Sequence, residues 1–200
     1  MKMVQRCAWA TSGNELMLAY HDQEWGRPLT DERALFELLS LEMMQAGLSW
    51  QTVLNKRASF KEAFANFQVD QVAAFTAEDE SRLLADAGII RNRRKIAAII
   101  NNAQVIQDLH QNGTTLAEFL WGYVHGQPIV GHYHHVDEVP TTTPLAVQIA
   151  KDMKKRGFAF TGPTIIYSWL EAAGVVNDHL VGCCCFAETS RLQPEFACLS

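Results

Sequence analysis

"LLADAGIIRNRRKIAAIINNA", residues 83–103, is the stretch on which the reading of the fold turns. Leu83 and Leu84 close one helical pattern, Gly88 suits a left-handed cap, and Ile89 and Ile90 can anchor the turn. A second helix opens near Asn92, with Ile96, Ile99, Ile100 and Ala103 on one face. Its first turn holds Arg93, Arg94 and Lys95, with Arg91 just before. A helix N-terminus is the positive end of the peptide dipole, so each cation there is misplaced by about 0.3–1 kcal/mol. An anion bound at that end reverses the sign, because backbone N–H groups, dipole and side chains then converge on it. Two helices joined by a glycine hairpin, with cations opening the second, have the general form of a helix-hairpin-helix. That element grips a nucleic-acid backbone without reading bases. The plainer alternative is a helical turn with a solvated basic edge.

Working outward, the 3.6-residue period continues nearly everywhere and no period-2 stretch is sustained. Helices are predicted at about 14–24, 31–45, 50–56, 58–66, 79–86, 92–111, 115–124, 143–156 and 164–174. The separators "GRPLTD", "AGLS", "DAGIIR", "QNGTT", "HGQPIVGHYHH" and "RGFAFTGP" hold the expected breakers. The fold class is all-α. Residues 125–142 read as an irregular connector, and the tail "ETSRLQPEFACLS" as frayed.

The 200 residues form one generous domain or two small lobes. A net charge of −5 gives no general attraction to nucleic acid, so any such binding must rest on a local patch and weaken with salt. "MKMVQRCAWATSG" lacks the apolar core of a secretory signal, and no apolar run approaches the ~18 residues of a membrane span. A cytoplasmic protein with reduced cysteines is expected, in which clustered Cys and His are metal ligands or small core residues.

One carboxylate sits on the wrong face. In "DERALFELLSLEMMQAG", Leu35, Leu38, Leu39 and Glu42 share a stripe, with Arg33, Glu37 and Ser40 opposite. A buried carboxylate needs a partner, a raised pKa or a task. It is either satisfied by nearby backbone or a tyrosine, or it faces a ligand. "AGLSW" then breaks the helix at Gly47, exposes Leu48 at the turn and restarts near Ser49 with Trp50. Tyr20 and Trp25 of "YHDQEWG" are candidates to join them. Each aromatic alone would read as core. Together with one carboxylate they make walls for a flat, nitrogen-rich and cationic ligand.

Three of the five cysteines crowd into "NDHLVGCCCF", residues 177–186. If that stretch is helical, His179 and Cys183 face one way at i and i+4. Cys7 and His21 can supply the other two ligands of a closed, structural tetrahedral zinc site joining the chain ends. The alternative is that Cys183, Cys184 and Cys185 are small core residues, as Cys184 and Cys185 are expected to be. His132, His134 and His135 of "GHYHH" form a rival set in what reads as an exposed loop. The H-x-E and P-C-x-x-C pattern of zinc deaminases is absent.

These features meet in one family. "CAWATSG", "YHDQEWGRP", "LFELLSLEMMQAGLSWQTVLNKR", "DAGIIRNRRKI", "PTTTP", "KKRGFAFTGPTIIYSW" and "VNDHLVGC" occur in order, and the chain resembles the 3-methyladenine DNA glycosylase I family over about residues 7–185. The resemblance implies a helix-hairpin-helix DNA glycosylase fold, with the hairpin at 83–96 and structural Zn2+ on Cys7, His21, His179 and Cys183. It implies one catalytic unit of two lobes, about 30–112 and about 1–29 with 113–186, followed by a tail at 187–200. Glu42 and Tyr20 would hydrogen-bond a flipped base, Trp50 would stack on it, and Trp9 would stand near. Leu48 with Gly47 would fill the gap in the DNA stack. Gly88, Ile90, Arg91, Arg93, Arg94 and Lys95 would meet the DNA backbone.

The implied reaction is hydrolytic release of 3-methyladenine from double-stranded DNA containing alkylated bases, by a monomer, in base-excision repair. The superfamily's usual aspartate has no assigned counterpart, and Asp137 and Glu138 are the nearest acids. Met17 stands where many members have tyrosine, which makes one pocket wall less polar. Two rivals are a non-enzymatic DNA-binding hairpin module and a zinc hydrolase using the three-histidine cluster.

Overall fold

Apolar residues at helical spacing are buried as helices throughout the computed structural model, which describes residues 5–196. In chain order these are α1 Ala8–Thr11, α2 Glu15–Gln23, α3 Glu32–Gln45, α4 Trp50–Asn55, α5 Arg57–Ala63 and α6 Val69–Ala73. There follow α7 Ala77–Ala85, α8 Arg93–Gln111, α9 Leu116–Gly122, α10 Pro144–Lys155, α11 Pro163–Ala172 and α12 Phe186–Thr189. Starts are chemically marked: Asn14, Asp31, Ser49, Asn92 and Thr143 each accept a first-turn N–H, and Thr76 and Thr115 close capping boxes.

Helix α3 is the central strut, and here the sequence expectation needs correcting. Glu37 and Ser40, placed opposite the apolar stripe, are nevertheless each 1% exposed. The reason is that α4, α8, α9 and α11 all pack on α3, so it has no free side. Ser40 returns its hydroxyl to Phe36 O at 2.8 Å. Glu37 is held by Arg33 at 2.8 Å, Arg57 at 2.6 Å and Lys61 at 3.4 Å.

Other departures sit at the joints. The helix expected at 58–66 stops at Ala63, because Ala65, Asn66 and Phe67 take φ of 50°, 52° and 55°. That turn stacks Phe67 on Phe64 at 5.6 Å. Helices α1, α6 and α12 were not anticipated, being too short to display a period. The all-α expectation also missed a two-residue parallel pair, β1 Ile129–Val130 with β2 Val176–Asn177, paired Ile129↔Val176 and Val130↔Asn177. The tail is anchored rather than frayed as far as it is described. Asn177 donates to Thr189 Oγ1 at 2.9 Å, and Arg27 pairs with Glu188 at 2.8 Å. Cys198 lies outside the described residues.

The hairpin between α7 and α8 is present, but not by the mechanism expected. Gly88 is absent from the positive-φ residues and is no left-handed cap. A Cβ there would meet Asp86 Oδ1 at 3.0 Å and Ser59 at 3.1 Å, so glycine is needed for close approach to α5. Lys56 clasps the hairpin from the same side, donating to Ala87 O at 3.1 Å and Gly88 O at 3.0 Å.

Candidate active site and metal centre

Residues from the first 25 positions contribute both to a Cys/His cluster and to a neighbouring cavity. On one side Cys7, His21, His179 and Cys183 are all buried, with ligand atoms within 4.8 Å of one another. On the other, Trp9, Tyr20 and Trp25 line a cavity of about 380 Å³. Tyr20 and His21 are adjacent on α2, where a step of about 100° sends one side chain to the cavity and the other to the Cys/His cluster.

The expected helix at 177–184 is instead β2 followed by a turn, with Cys183 N–H on Leu180 O at 2.7 Å. The turn nevertheless brings Cys183 Sγ to 3.5 Å from His179 Nδ1. Cys183 Sγ is 3.4 Å from His21 Nε2, and Cys7 Sγ is 3.7 Å from His179 Nδ1. Zn–S of ~2.3 Å and Zn–N of ~2.0–2.1 Å at a tetrahedral angle put sulfur and nitrogen about 3.6 Å apart, so the donor set fits a tetrahedral ion.

The remaining ring nitrogens are committed. His179 Nε2–H donates to Trp25 O at 3.1 Å, and His21 Nδ1–H to Asp22 Oδ1 at 2.7 Å. Asp22 is gripped by Arg6 Nε at 2.9 Å, and hydrogen bonding to Arg6 lowers its pKa to about 2. These outer bonds leave Nδ1 of His179 and Nε2 of His21 bare toward the thiols, the arrangement that orients metal-bound imidazoles. Cys184 is exposed, contrary to the core role expected for it, whereas Cys185 is buried. His132, His134 and His135 are exposed and are not among the described residues that bring three ligand atoms together.

In the cavity, Tyr20 is 3% exposed and its ring lies 5.1 Å from Trp50. Trp9 meets Trp25 edge-on at 5.1 Å. Met17 is also in the wall. Glu42 is 5% exposed, and burial pushes its carboxyl up to about 8. Burial first, then the charge of Glu42, raises the Tyr20 phenol, so it stays a hydrogen-bond donor. The buried Trp50 indole N–H has no partner among the described residues. Sequence reasoning missed Ser168 and Glu171, which line the cavity from α11 at i and i+3. The signal was available, since Glu171 is the one charged residue in "PTIIYSWLEA".

Beside the cavity mouth, Gly47 has φ of 84° and Leu48 is 44% exposed at the turn between α3 and α4. Of the hairpin cations, Arg91 and Arg94 are exposed, Arg94 lying 5.5 Å over the Phe160 ring. Arg93 pairs with Glu80 at 3.0 Å. Lys95 is not on the surface with them. It is 6% exposed, and its Nζ donates to Met44 O at 3.0 Å and Ala46 O at 2.6 Å, capping the C-terminus of α3. The side chain expected among the backbone-binding cations thus holds the turn that presents Leu48.

A methyladenine glycosylase family model matches residues 9–186. DNA-3-methyladenine glycosylase 1 of Escherichia coli (strain K12) is 49% identical over 183 residues, 92% of this chain and 97% of that one. DNA-3-methyladenine glycosylase of Haemophilus influenzae is 40% identical over 92% of this chain and 98% of its own. A crystal structure of 3-methyladenine DNA glycosylase I superposes with a TM-score of 0.88 at 50% identity, covering 90% of this chain and 99% of that one. A variant of 3-methyladenine DNA glycosylase I, solved with 3-methyladenine bound, gives 0.87 at 41% identity, covering 90% and 97%. With nearly its whole length matched in sequence and in fold, the chain belongs to the methyladenine glycosylase family.

Proposed function

We propose that the chain is a DNA-3-methyladenine glycosylase that takes the alkylated base out of double-stranded DNA and hydrolyses its N-glycosyl bond. The observation that bears most weight is the unpaired Glu42 in an aromatic cavity. Its carboxyl has no cation or hydrogen-bond partner among the described residues, and burial accounts for its raised pKa. A 3-methylated adenine nucleoside is cationic, and water adds to C1′ as the bond to N9 breaks. The base leaves neutral, the deoxyribose becomes an abasic site, and one proton passes to solvent. Because the leaving group is already activated, binding the base outside the stack supplies much of the catalysis. Trp50 and the other rings attract its charge by about 0.5–2 kcal/mol per good cation–π contact. Tyr20 donates and Glu42 accepts at the base edge.

Zn2+ on Cys7, His21, His179 and Cys183 would be structural. With four protein ligands no position is left for water, and its role is to fix Tyr20 beside His21, Trp9 two residues after Cys7, and Trp25, whose carbonyl accepts from His179. The two-lobe division is supported by the cavity, which draws Glu42, Gln45, Ser49, Trp50 and Gln51 from 30–112 and its other walls from 1–29 and 113–186. Leu48 on its Gly47 turn is the wedge for the vacated stack. Ile90, Arg91, Arg93, Arg94 and the Gly88 hairpin face the DNA backbone. No described helix is long and apolar enough to cross a membrane. We take the working form to be a cytoplasmic monomer.

Chromatography of free bases released from alkylated DNA tests the reading. Selective 3-methyladenine release is expected, and salt-sensitive DNA binding without release would favour the non-enzymatic hairpin module. A second measurement separates the cations. Arg91→Ala should reduce the dependence of log K on log[salt] by about one unit. Lys95→Met should leave that slope unchanged while costing about 1–3 kcal/mol of stability through the lost charged hydrogen bonds. A slope change for Lys95→Met equal to that of Arg91→Ala would restore Lys95 as a phosphate contact.

A further inference from the structure

Glu37, which is buried, shows what a structural glutamate looks like, and the half-buried Glu171 is not one. Glu37 answers to Arg33, Arg57 and Lys61. Glu171, in the last turn of α11, has no cation or hydrogen bond on its side chain among the described residues. It lines the same cavity as Glu42, reached from a different helix. The two helices are fixed to each other by Trp169 Nε1–H on Leu35 O at 3.0 Å. The aromatic rings between them offer electron-rich faces but no positive group.

We propose that Glu171 is a second base-recognition carboxylate, and that with Glu42 it makes the cavity select positively charged purines over neutral ones. The inference rests on the base-pocket reading above. Burial, then the charges of Asp178 and Glu42, push the Glu171 carboxyl well above its ordinary range, so without a cation the pair holds its protons. A cationic purine favours ionisation of a carboxyl beside it, a proton leaves to solvent, and the ligand's charge is matched inside the cavity. A neutral purine gives no such return. Glutamine at 171 has the shape and hydrogen-bonding capacity but cannot ionise.

The test uses two probes with the purified zinc-loaded protein: 3,9-dimethyladeninium, a fixed cation with no cleavable glycosidic bond, and neutral 3-methyladenine. Wild type should bind both. Glu171→Gln should weaken the cation roughly tenfold and leave the neutral base within about twofold, a change in selectivity that mere loosening of the pocket would not give. Glu171→Asp, which retains the charge but retracts it, should fall between the two, and serves as the measurement if Glu171→Gln does not fold. Equal weakening of both probes by Glu171→Gln, or no weakening of either, overturns the proposal, as does wild-type selectivity in Glu171→Asp where that variant stands in. Wild-type protein that binds neither probe and releases no 3-methyladenine from DNA would instead overturn the base-pocket reading, and this inference with it.

Discussion

Cys183→Ala should abolish zinc binding and lower the unfolding midpoint by about 8–16 °C. A metal bound to the folded state alone stabilises by RT ln(1 + [L]/Kd), about 4 kcal/mol at a thousandfold excess over Kd. For a domain of roughly 150–250 residues each kcal/mol moves the midpoint by about 2–4 °C. Cys183 lies 3.4 Å from His21 and 3.5 Å from His179, and its loss leaves three donors. Metal content by atomic absorption and a thermal melt check both halves, and stripping zinc from wild type should reproduce the variant's melt. Base release should fall too, since Tyr20 neighbours His21 and the Trp25 carbonyl takes the His179 proton. His132→Ala should change none of these. A Cys183→Ala protein that keeps one zinc and its midpoint would remove the metal centre, and zinc lost from His132→Ala would move it to the loop.

The members of this Cys/His cluster were readable in sequence because Cys7 and His21 near one end and His179 and Cys183 near the other offered the four donors of a closed tetrahedral site. The local geometry was not. His179 and Cys183 converge through a turn instead of one helical face, since β2 pins Val176 and Asn177 against β1 just before them. Helices such as α8 were legible from Ile96, Ile99 and Ala103, each 0% exposed. The buried Glu37 was not, because periodicity assumes a solvent side that a helix packed all round does not have. Lys95 failed for a related reason. Its position at a helix start predicts an anion, but a long side chain can reach another helix's carbonyls, and only tertiary structure says which wins. Glu42 was found as a polar residue in an apolar stripe. Glu171 obeys the same rule on α11, and there the isolated motif without its partner wall gave too little to argue from.

Glu42→Gln should lose base release and gain stability. Burial holds the Glu42 carboxyl at about 8 in the folded protein against an ordinary 4.5. Between those values the folded state binds the proton more tightly than the unfolded state, so stability falls as pH rises through that window and levels off above it. At ~1.4 kcal/mol per unit the loss amounts to a few kcal/mol. Glutamine cannot ionise, so the variant should match wild type near pH 4 and exceed it progressively up to pH 8. Groups away from the cavity are common to both proteins, so the difference between the two stability profiles reports position 42 together with Tyr20 and Glu171, which its charge touches. Denaturant unfolding across pH 4–9 measures it. In the base-release assay the same substitution removes a charged hydrogen bond worth about 1.5–3 kcal/mol, a fall on the order of 10–100-fold. The two results belong together: a carboxylate retained at a cost to stability, whose removal stabilises the fold and disables the pocket, is there for its ligand. If Glu42→Gln instead destabilised the protein at pH 8 and released base at the wild-type rate, Glu42 would be a structural residue with a hydrogen-bonding role, and recognition would fall to Tyr20 and Trp50.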